Sequence, residues 1–395
     1  LDPIGLIHLL RDLSKEHDLY YLHSTVGYFL EEFYQRPQGL IYQLKGYETG
    51  GSMLPPPLQS REIEENQAFW KKINGEVIPP LIQAIQSSSA PEKSGFMQKV
   101  MENLHLVGEP DRQAMLLGKY YSHALNHWGV ELQKCGLADQ AADFFDRAAQ
   151  LNPDNVSAQI NQQFNKDLRT VKKPVIAPAK LIEDKFGKHR NWVEVIEEDG
   201  PFDEPNFCFE LGSTLASGGW PLYRQAIQQF ERVQTLAPDN MNAPFWLAPL
   251  YFQTRSYSNA LATSERILTR MTNQPDALYF KSLSLIQLHE YDKAIPPLDY
   301  LISQQTNNYQ AKLNRAIANL QIGNLDAAQK DYAAVAKVAP TAYQAYYGLA
   351  EIAERNKDTT SAIKNYKLYL TNAPPETEEA KLVQKRLKDL GTGKP

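Results

Sequence analysis

One short run near the amino terminus combines side chains that could bind a small molecule. His23, Ser24 and Thr25 lie between a predicted strand and a predicted helix, where open α/β sheets usually hold their ligands. We therefore treat these three residues as a candidate ligand site. The alternative interpretation is structural, because serine and threonine also cap helices. The nearby Glu31 and Glu32 are neighbours on the predicted helix and do not face each other, so no catalytic acid/base pair is expected.

A second pair of histidines has the spacing of metal ligands. His123 and His127 stand one helical turn apart, and a third ligand would have to come from Glu131. We interpret the pair as surface or groove histidines and predict no metal and no other cofactor. Cys135 and Cys208 show neither a disulfide framework nor metal spacing, so buried thiols are expected, with a bridge between them as the alternative.

The first 50 residues predict a small α/β unit. Helices are predicted over Ile4–Leu13 and Val26–Tyr34, and short strands over Asp18–Leu22 and Leu40–Leu44, the first of them buried. Strand, helix and strand joined by short links favour parallel pairing. The tyrosines of this unit are expected to pack against it, with ligand stacking as the alternative.

Residues 51–110 predict a helical connector broken by prolines. Helical runs are expected at Ile63–Ile73 and Ile78–Ile85, and Pro79 and Pro80 interrupt the segment. The run LPPPL is interpreted as a rigid linker, with a docking ligand for an aromatic groove as the alternative.

A ladder of alanines dominates the second half of the chain. Its members stand 34 residues apart and are Ala226, Ala260, Ala294, Ala328 and Ala362. Most are followed by apolar residues one and two helical turns later, which places each alanine on a buried helix face. Helical units of this length bury their apolar faces by stacking on neighbours, so 111–376 is predicted to form a solenoid of about six units.

The residues around the ladder resemble the tetratricopeptide repeat (TPR) family. The best copy occupies the family's signature positions with Trp128, Gly129, Leu132, Gly136, Ala141, Phe145, Ala148 and Pro153. The resemblance implies a mainly all-α fold, a right-handed TPR-like helical solenoid, whose first helices line a concave surface that binds extended peptides or partner helices. The family's charged clamp for a C-terminal carboxylate is not recognisable, because the corresponding positions are mostly apolar. A receptor for chaperone tails is therefore disfavoured, and the resemblance implies another protein or peptide partner.

Two series of positions on the first helices predict a partner-binding groove. Its apolar members are Phe245, Phe252, Tyr279, Ile286, Leu313, Leu320 and Tyr347. Aromatic and aliphatic residues that recur with the period indicate an apolar groove. The alternative is a helix turned by one residue, with these side chains in the core, because Lys312, Arg315 and Asn319 occupy the usual core positions of one unit.

Residues 170–205 interrupt the period, because Ala141 and Ala226 are not separated by a whole number of repeats. Insertions in solenoids usually map to one face. We expect this segment to be either a binding loop or a cap folded back on the array. Residues 377–395 predict a capping helix and a tail.

A second resemblance concerns the first 50 residues. The run YYLHSTVGYFLEEFYQRPQGLIYQL is similar to the small α/β segment after the last membrane span of some bacterial multi-pass glycosyltransferase-like proteins with TPR tails. In that class the sugar-transfer carboxylates lie in membrane loops, which this chain lacks. The resemblance implies a soluble, periplasmic or other extracytoplasmic tail of a membrane-associated parent with a membrane-embedded upstream region. The start at Leu1 without methionine is expected of a processed or excised piece.

Composition excludes several classes of function. The 395 residues carry a net charge of −5 and no cluster of lysines and arginines that would follow phosphates, so nucleic acid is not an expected partner. No run approaches the roughly 18 apolar residues of a membrane span. We predict a non-catalytic protein-binding scaffold. Two alternatives stay open: the extracytoplasmic domain of a membrane glycosyltransferase-like protein, and a small-molecule site at His23–Thr25.

Overall fold

The computed structural model describes residues 2–48, 51–88, 111–170, 189 and 191–391. These residues form 18 α-helices, two short 3₁₀ turns and one three-stranded sheet. The chain divides into two compact units, Leu1–Ala243 and Pro244–Pro395, which are described separately. The prediction of a mainly α-helical chain with a small strand-containing amino-terminal part is confirmed.

The amino-terminal sheet is antiparallel, so the predicted parallel pairing was wrong. Its elements are α1 (Pro3–Leu13), β1 (Leu19–Tyr21), β2 (Phe33–Gln38) and β3 (Ile41–Gly46). Strand β3 lies between β1 and β2 and pairs antiparallel with both. The predicted burial of the first strand was also wrong, because the rings of Tyr20 and Tyr21 are 47% and 36% exposed.

The predicted helix over Val26–Tyr34 was wrong, because this stretch contains a 3₁₀ turn and the first two residues of β2. A 3₁₀ turn, Tyr28–Glu31, leads directly into β2. Pro37 is tolerated in β2 because this strand lies at the edge of the sheet, where proline costs no ladder hydrogen bond. Gly39, at φ +64°, closes a tight hairpin between β2 and β3. Such a hairpin requires antiparallel neighbours.

Glu31, at the end of the 3₁₀ turn, ties this amino-terminal part to a later helix of the same unit. Its carboxylate accepts hydrogen bonds from the backbone N–H groups of Arg224 and Gln225. Those groups belong to the first turn of a helix, where a negative charge is favourable. Burial raises the pKa of Glu31, and the two N–H donors oppose that rise.

The rest of the Leu1–Ala243 unit is helical. Its helices are α2 (Ser60–Glu76), α3 (Ile78–Ser88), α4 (Arg112–Lys134), α5 (Ala138–Leu151), α6 (Val156–Thr170), α7 (Trp192–Asp199), α8 (Pro205–Ser217) and α9 (Tyr223–Leu236). Pro79 and Pro80 lie in the first turn of α3, where the missing N–H groups are not needed. They therefore begin a helix.

The core of this unit joins α2 and α3 to the best-formed repeat. Trp70 of α2 and Ile78 of α3 are fully buried together with Trp128 of α4 and Phe145 of α5. A Cβ at Gly129 would lie 2.6 Å from the ring of Phe145, so α4 and α5 cross closely only because this position is glycine. The proline-containing segment is therefore part of a shared core.

The Pro244–Pro395 unit consists of helices in tandem. They are α10 (Asn242–Gln253), α11 (Tyr257–Arg270), α12 (Pro275–Gln287), α13 (Tyr291–Gln304), α14 (Tyr309–Gln321), α15 (Leu325–Val338), α16 (Tyr343–Arg355), α17 (Thr359–Asn372) and α18 (Glu378–Gly391). The ladder alanines of its second helices are completely buried. As predicted, each of these alanines lies on a buried helix face.

The turn inside each helix pair repeats with the same period. Arg255, His289, Gly323 and Lys357 have φ between 61° and 84° and stand 34 residues apart. A left-handed residue after the first helix ends that helix and starts the second.

Within the described ranges, no helix is both long and apolar enough to cross a bilayer.

Candidate functional site

The predicted groove positions of the Pro244–Pro395 unit fall into two groups. Ile286, Leu313 and Leu320 are buried between helices and present little surface to a partner. Four aromatic positions are half-buried, and we call them the aromatic row: Phe245, Phe252, Tyr279 and Tyr347. Each of these four side chains is partly exposed and partly packed against the helices of the array. They are the members of the predicted groove that a partner could contact.

Two further rings extend this row. Phe252 lies 5.4 Å from Tyr257 and 6.1 Å from Phe280, measured between ring centroids, and Phe280 lies 5.8 Å from Tyr279. The four rings form one cluster contributed by α10, α11 and α12. Sequence analysis missed Tyr257 and Phe280, although Phe280 directly follows a predicted groove residue. Offset and edge-on aromatic contacts of this kind hold each ring in a defined orientation.

Charged residues of the first helices pair with the second helices. Lys281 lies 2.9 Å from Glu265, and Arg315, one repeat later, lies 2.6 Å from Asp299. Arg315 also donates two hydrogen bonds to Asp331, which is buried. These cations are therefore compensated by carboxylates of the array itself.

His23, Ser24 and Thr25 lie where the amino-terminal segment packs on helices of its own unit. Ser24 Oγ lies 3.1 Å from His123 Nε2, and Thr25 Oγ1 donates to Glu197 at 2.8 Å. The His23 carbonyl accepts a hydrogen bond from Gln35. Ser24 and Thr25 are buried. The side-chain oxygens of Ser24 and Thr25 are thus engaged in contacts with helices of the same unit, and these contacts are not helix caps.

The histidine pair on α4, which was interpreted as surface or groove histidines, is buried and therefore does not lie at the surface. His127 packs against the ring of Tyr42 at 4.4 Å between centroids, and its Nε2 lies 3.9 Å from Glu131. Among the residues that the structure describes, no group of three or more His, Cys, Asp or Glu side chains is placed to hold a metal ion. Cys135 and Cys208 are both free thiols, so no bridge joins them.

Burial of these histidines predicts that the unit loses stability in acid. Desolvation lowers the pKa of His123 to about 4 and that of His127 to about 3, whereas unfolded histidines titrate near pH 6.5. Below about pH 6.5 the unfolded chain therefore binds protons that the folded chain does not, and each histidine lowers the unfolding free energy by about 2 kcal/mol at pH 5.

The variant His127→Phe keeps a ring against Tyr42 and removes one titrating group. Urea unfolding at pH 7 and pH 5 is expected to show a pH difference that is smaller than in the wild type by about 2 kcal/mol. Burial raises the pKa of Glu204 to about 7, and this group opposes the trend equally in both proteins. The exposed His8, replaced by glutamine, is the control. An unchanged pH difference in His127→Phe would show that His127 is protonated in the folded protein.

A row of buried amides on α4, on α6 and just before α6 contacts the end of α7 and the residues that link it to α8. We define this amide row as Asn126, Gln133, Asn155 and Asn161, all of which are buried. Its nitrogen atoms donate to the carbonyl groups of Asp199, Pro201 and Asp203 at 2.9 to 3.2 Å. The predicted insertion near 170–205 thus ends as a segment folded back on the first repeat. Residues 171–188 and 190 lie outside the described part of the chain.

Sequence analysis did not identify the amide row. The sequence does contain a signal, because Asn126 and Gln133 stand two helical turns apart on α4. Buried amides need hydrogen-bond partners, and those partners lie about 70 residues away along the chain. Polar residues at these positions could have predicted a buried hydrogen-bonding site. They could not have predicted that residues 199–203 supply the hydrogen-bond partners.

Helix pairs in tandem define this chain as a helical-repeat protein. Residues 220–299 match the family model described as anaphase-promoting complex, cyclosome, subunit 3, and residues 313–377 match the model described as tetratricopeptide repeat. These segments consist of tetratricopeptide-type repeats, which confirms the predicted family. A search of curated proteins found no match.

Several solved structures are similar to parts of the chain. YrrB, described as a TPR protein with an unusual peptide-binding site, is 19% identical, with 49% of this chain and 96% of that chain covered and a TM-score of 0.40. A structure of MamA is 20% identical, with coverages of 44% and 96% and a TM-score of 0.38. MamA from Desulfovibrio magneticus RS-1 is 13% identical, with coverages of 46% and 96% and a TM-score of 0.40. Similarities this low carry no argument about function.

Proposed function

We propose that this chain is a non-catalytic scaffold that binds a protein segment along the first helices of its Pro244–Pro395 unit. The observation that supports the proposal is the aromatic row, whose four rings are half-buried on α10, α12 and α16. A ring already held on one side loses little conformational entropy when a partner covers the other side. Aromatic residues also supply much of the energy of protein interfaces.

The surroundings of the row indicate the chemistry of its partner. The nearby cations Lys281 and Arg315 are paired with carboxylates of the array, so they are not preset to bind an acidic side chain. The row itself offers aromatic faces. We therefore expect a peptide or helix that inserts apolar side chains between successive first helices.

The double variant Phe245→Ala/Tyr279→Ala tests the proposal. Capture of partners from the source cells on the immobilised chain, with quantification by mass spectrometry, is expected to fall at least about tenfold, since truncated aromatic anchors commonly cost more than 1 kcal/mol each. Circular dichroism must show unchanged helix content.

The matched control is Tyr300→Ala. Tyr279 and Tyr300 both pack, partly buried, against the same core cluster, but Tyr300 lies on the second helix α13. Retained capture by Tyr300→Ala together with loss in the double variant would support the row as the binding surface. Equal capture by all three proteins would refute it.

The extracytoplasmic-tail hypothesis stays a prediction from residues 1–50. Membrane spans encoded upstream of Leu1 in the parent reading frame would support it, and their absence would refute it. The scaffold proposal is independent of that result, because it rests on the Pro244–Pro395 unit.

A further inference from the structure

The amide row holds residues Asp199–Glu204 as it would hold a separate peptide. The segment runs from the last residue of α7 to the residue that caps α8, and the main-chain groups of Asp199, Pro201 and Asp203 are hydrogen-bonded to side chains of the row. Side-chain amides suit this purpose, because each carries both donors and an acceptor. This site belongs to the Leu1–Ala243 unit and does not depend on the proposed function of the other unit.

Asn161 makes the contact most typical of peptide binding. It donates to the Pro201 carbonyl at 2.9 Å and accepts from the Asp203 N–H at 2.8 Å. One side chain thus satisfies two main-chain groups of the segment, two residues apart. Asn126 donates to the carbonyls of Asp199 and Pro201, and its own oxygen accepts from Asn161 at 2.8 Å. The two asparagines are therefore also hydrogen-bonded to each other.

The surroundings of residues 200–203 favour a particular residue type at each of these four positions. A Cβ at Gly200 would lie 2.9 Å from the amide nitrogen of Asn126, and its φ of +90° also favours glycine. Phe202 stacks on Phe207 at 4.8 Å between centroids. The Asp203 carboxylate is completely buried and accepts hydrogen bonds from both Arg232 and Gln133. Proline at 201 needs no hydrogen-bond acceptor for its nitrogen.

We propose that the amide row is a peptide-binding site for the pattern Gly-Pro-aromatic-Asp, which the chain fills with its own residues 199–204. A separate polypeptide with this pattern in extended form exchanges with the internal segment. The tether gives the internal segment a high effective concentration, so an external peptide binds strongly only when the internal segment is weakened.

Hydrogen exchange on the unmodified full chain tests whether the internal segment detaches. The Asp203 amide, which donates to Asn161, is expected to exchange at least about 100-fold faster than the buried amides of α4. A synthetic peptide of residues 198–206, at millimolar concentration, is expected to accelerate the exchange further by displacing the segment. Exchange at the rate of the α4 amides, with no response to peptide, would mean that the segment is a fixed part of the fold and would overturn the proposal.

Peptide binding gives the second test. The variant Phe202→Ala loses the stacked ring of the internal segment, and it is expected to bind the fluorescent 198–206 peptide at least about tenfold more tightly than the wild type. Adding Asn161→Ala to this variant is expected to abolish binding. The same peptide with alanine in place of its glycine should not bind, because its Cβ would meet Asn126.

Binding that persists after Asn161→Ala, or that tolerates alanine in the peptide, would overturn the proposal. So would absence of binding to a folded Phe202→Ala protein. If Phe202→Ala does not fold, the hydrogen-exchange measurement on the wild type alone supports or overturns the proposal.

Discussion

Replacing Trp70 by alanine is expected to lower the unfolding free energy of the Leu1–Ala243 unit by about 3 kcal/mol, at the lower end of the range for large-to-small changes at tryptophan. Trp70 has 0% of its surface exposed and contacts Phe144 edge-on, at 6.2 Å between centroids. Its indole N–H has no hydrogen-bond partner among the residues that the structure describes. Alanine removes this unsatisfied N–H group together with the ring, so we expect a loss of unfolding free energy at the lower end of the range. Urea unfolding followed by helix content measures the change.

The control for Trp70→Ala is Trp220→Ala in the same unit. Trp220 is 71% exposed, so its loss is expected to cost less than about 0.5 kcal/mol. A similarly small cost for Trp70→Ala would mean that α2 is an appendage. The structure instead makes the segment around Trp70 part of the repeat core, although its prolines suggested a connector.

The repeat array could be predicted because its signal is redundant. Each 34-residue unit needs a small residue at the same buried position and a left-handed residue at the same turn. The ladder of buried alanines and the turn at Lys357 therefore indicate the same repeat independently. Where two helices cross closely, few residues other than alanine or glycine fit. A tyrosine at one level, such as Tyr332, then demands glycine opposite, at Gly348.

The amino-terminal sheet and the amide row were not predictable for a different reason. Strand β2 contains a proline that is tolerable only at a sheet edge, and whether a strand is at an edge depends on the whole sheet. Likewise, Asn126 and Asn161 are buried because a segment distant in sequence covers them. Single-sequence patterns report local faces of helices and strands, not which remote segment satisfies a polar group.

The binding groove lies between these two cases. The period located the first helices, but it could not separate positions that stay accessible from positions that neighbouring helices cover. Tyr347 is half-buried, whereas Leu313, at the equivalent position one repeat earlier, is buried. That difference is set by the side chains of adjacent helices, so the accessible part of the groove became visible only with packing.

Replacing Arg232 by methionine is expected to lower the unfolding free energy of the Leu1–Ala243 unit by about 3–5 kcal/mol, the cost of removing one partner of a buried ion pair. Arg232 lies 2.5 and 2.6 Å from the two oxygens of Asp203, whose side chain is 0% exposed. Methionine keeps much of the apolar stem and leaves the carboxylate with Gln133 as its nearest remaining donor among the described residues. Urea unfolding gives the measurement.

The control for Arg232→Met is Arg147→Met on α5. Arg147 lies 2.8 Å from Asp143, but Asp143 is 59% exposed, and exposed pairs of this kind contribute about 0.5 kcal/mol or less. Adding Asp203→Asn to Arg232→Met removes the unpaired charge, so the double variant is expected to recover part of the loss. Equal small effects of Arg147→Met and Arg232→Met would show that Asp203 is hydrated in the folded protein.

Local detachment of residues 199–204 from the amide row would set an upper limit on the unfolding free energy that Arg232→Met can lose. If residues 199–204 detach locally, Asp203 leaves the core and the cost of its unpaired charge disappears. Destabilisation beyond the free energy of detachment therefore produces the detached state instead of an unfolded unit. In that case the measured loss stops at the free energy of detachment, and the Asp203 amide of Arg232→Met exchanges almost as fast as an exposed amide. Full loss with continued protection of that amide would show that the segment remains fixed.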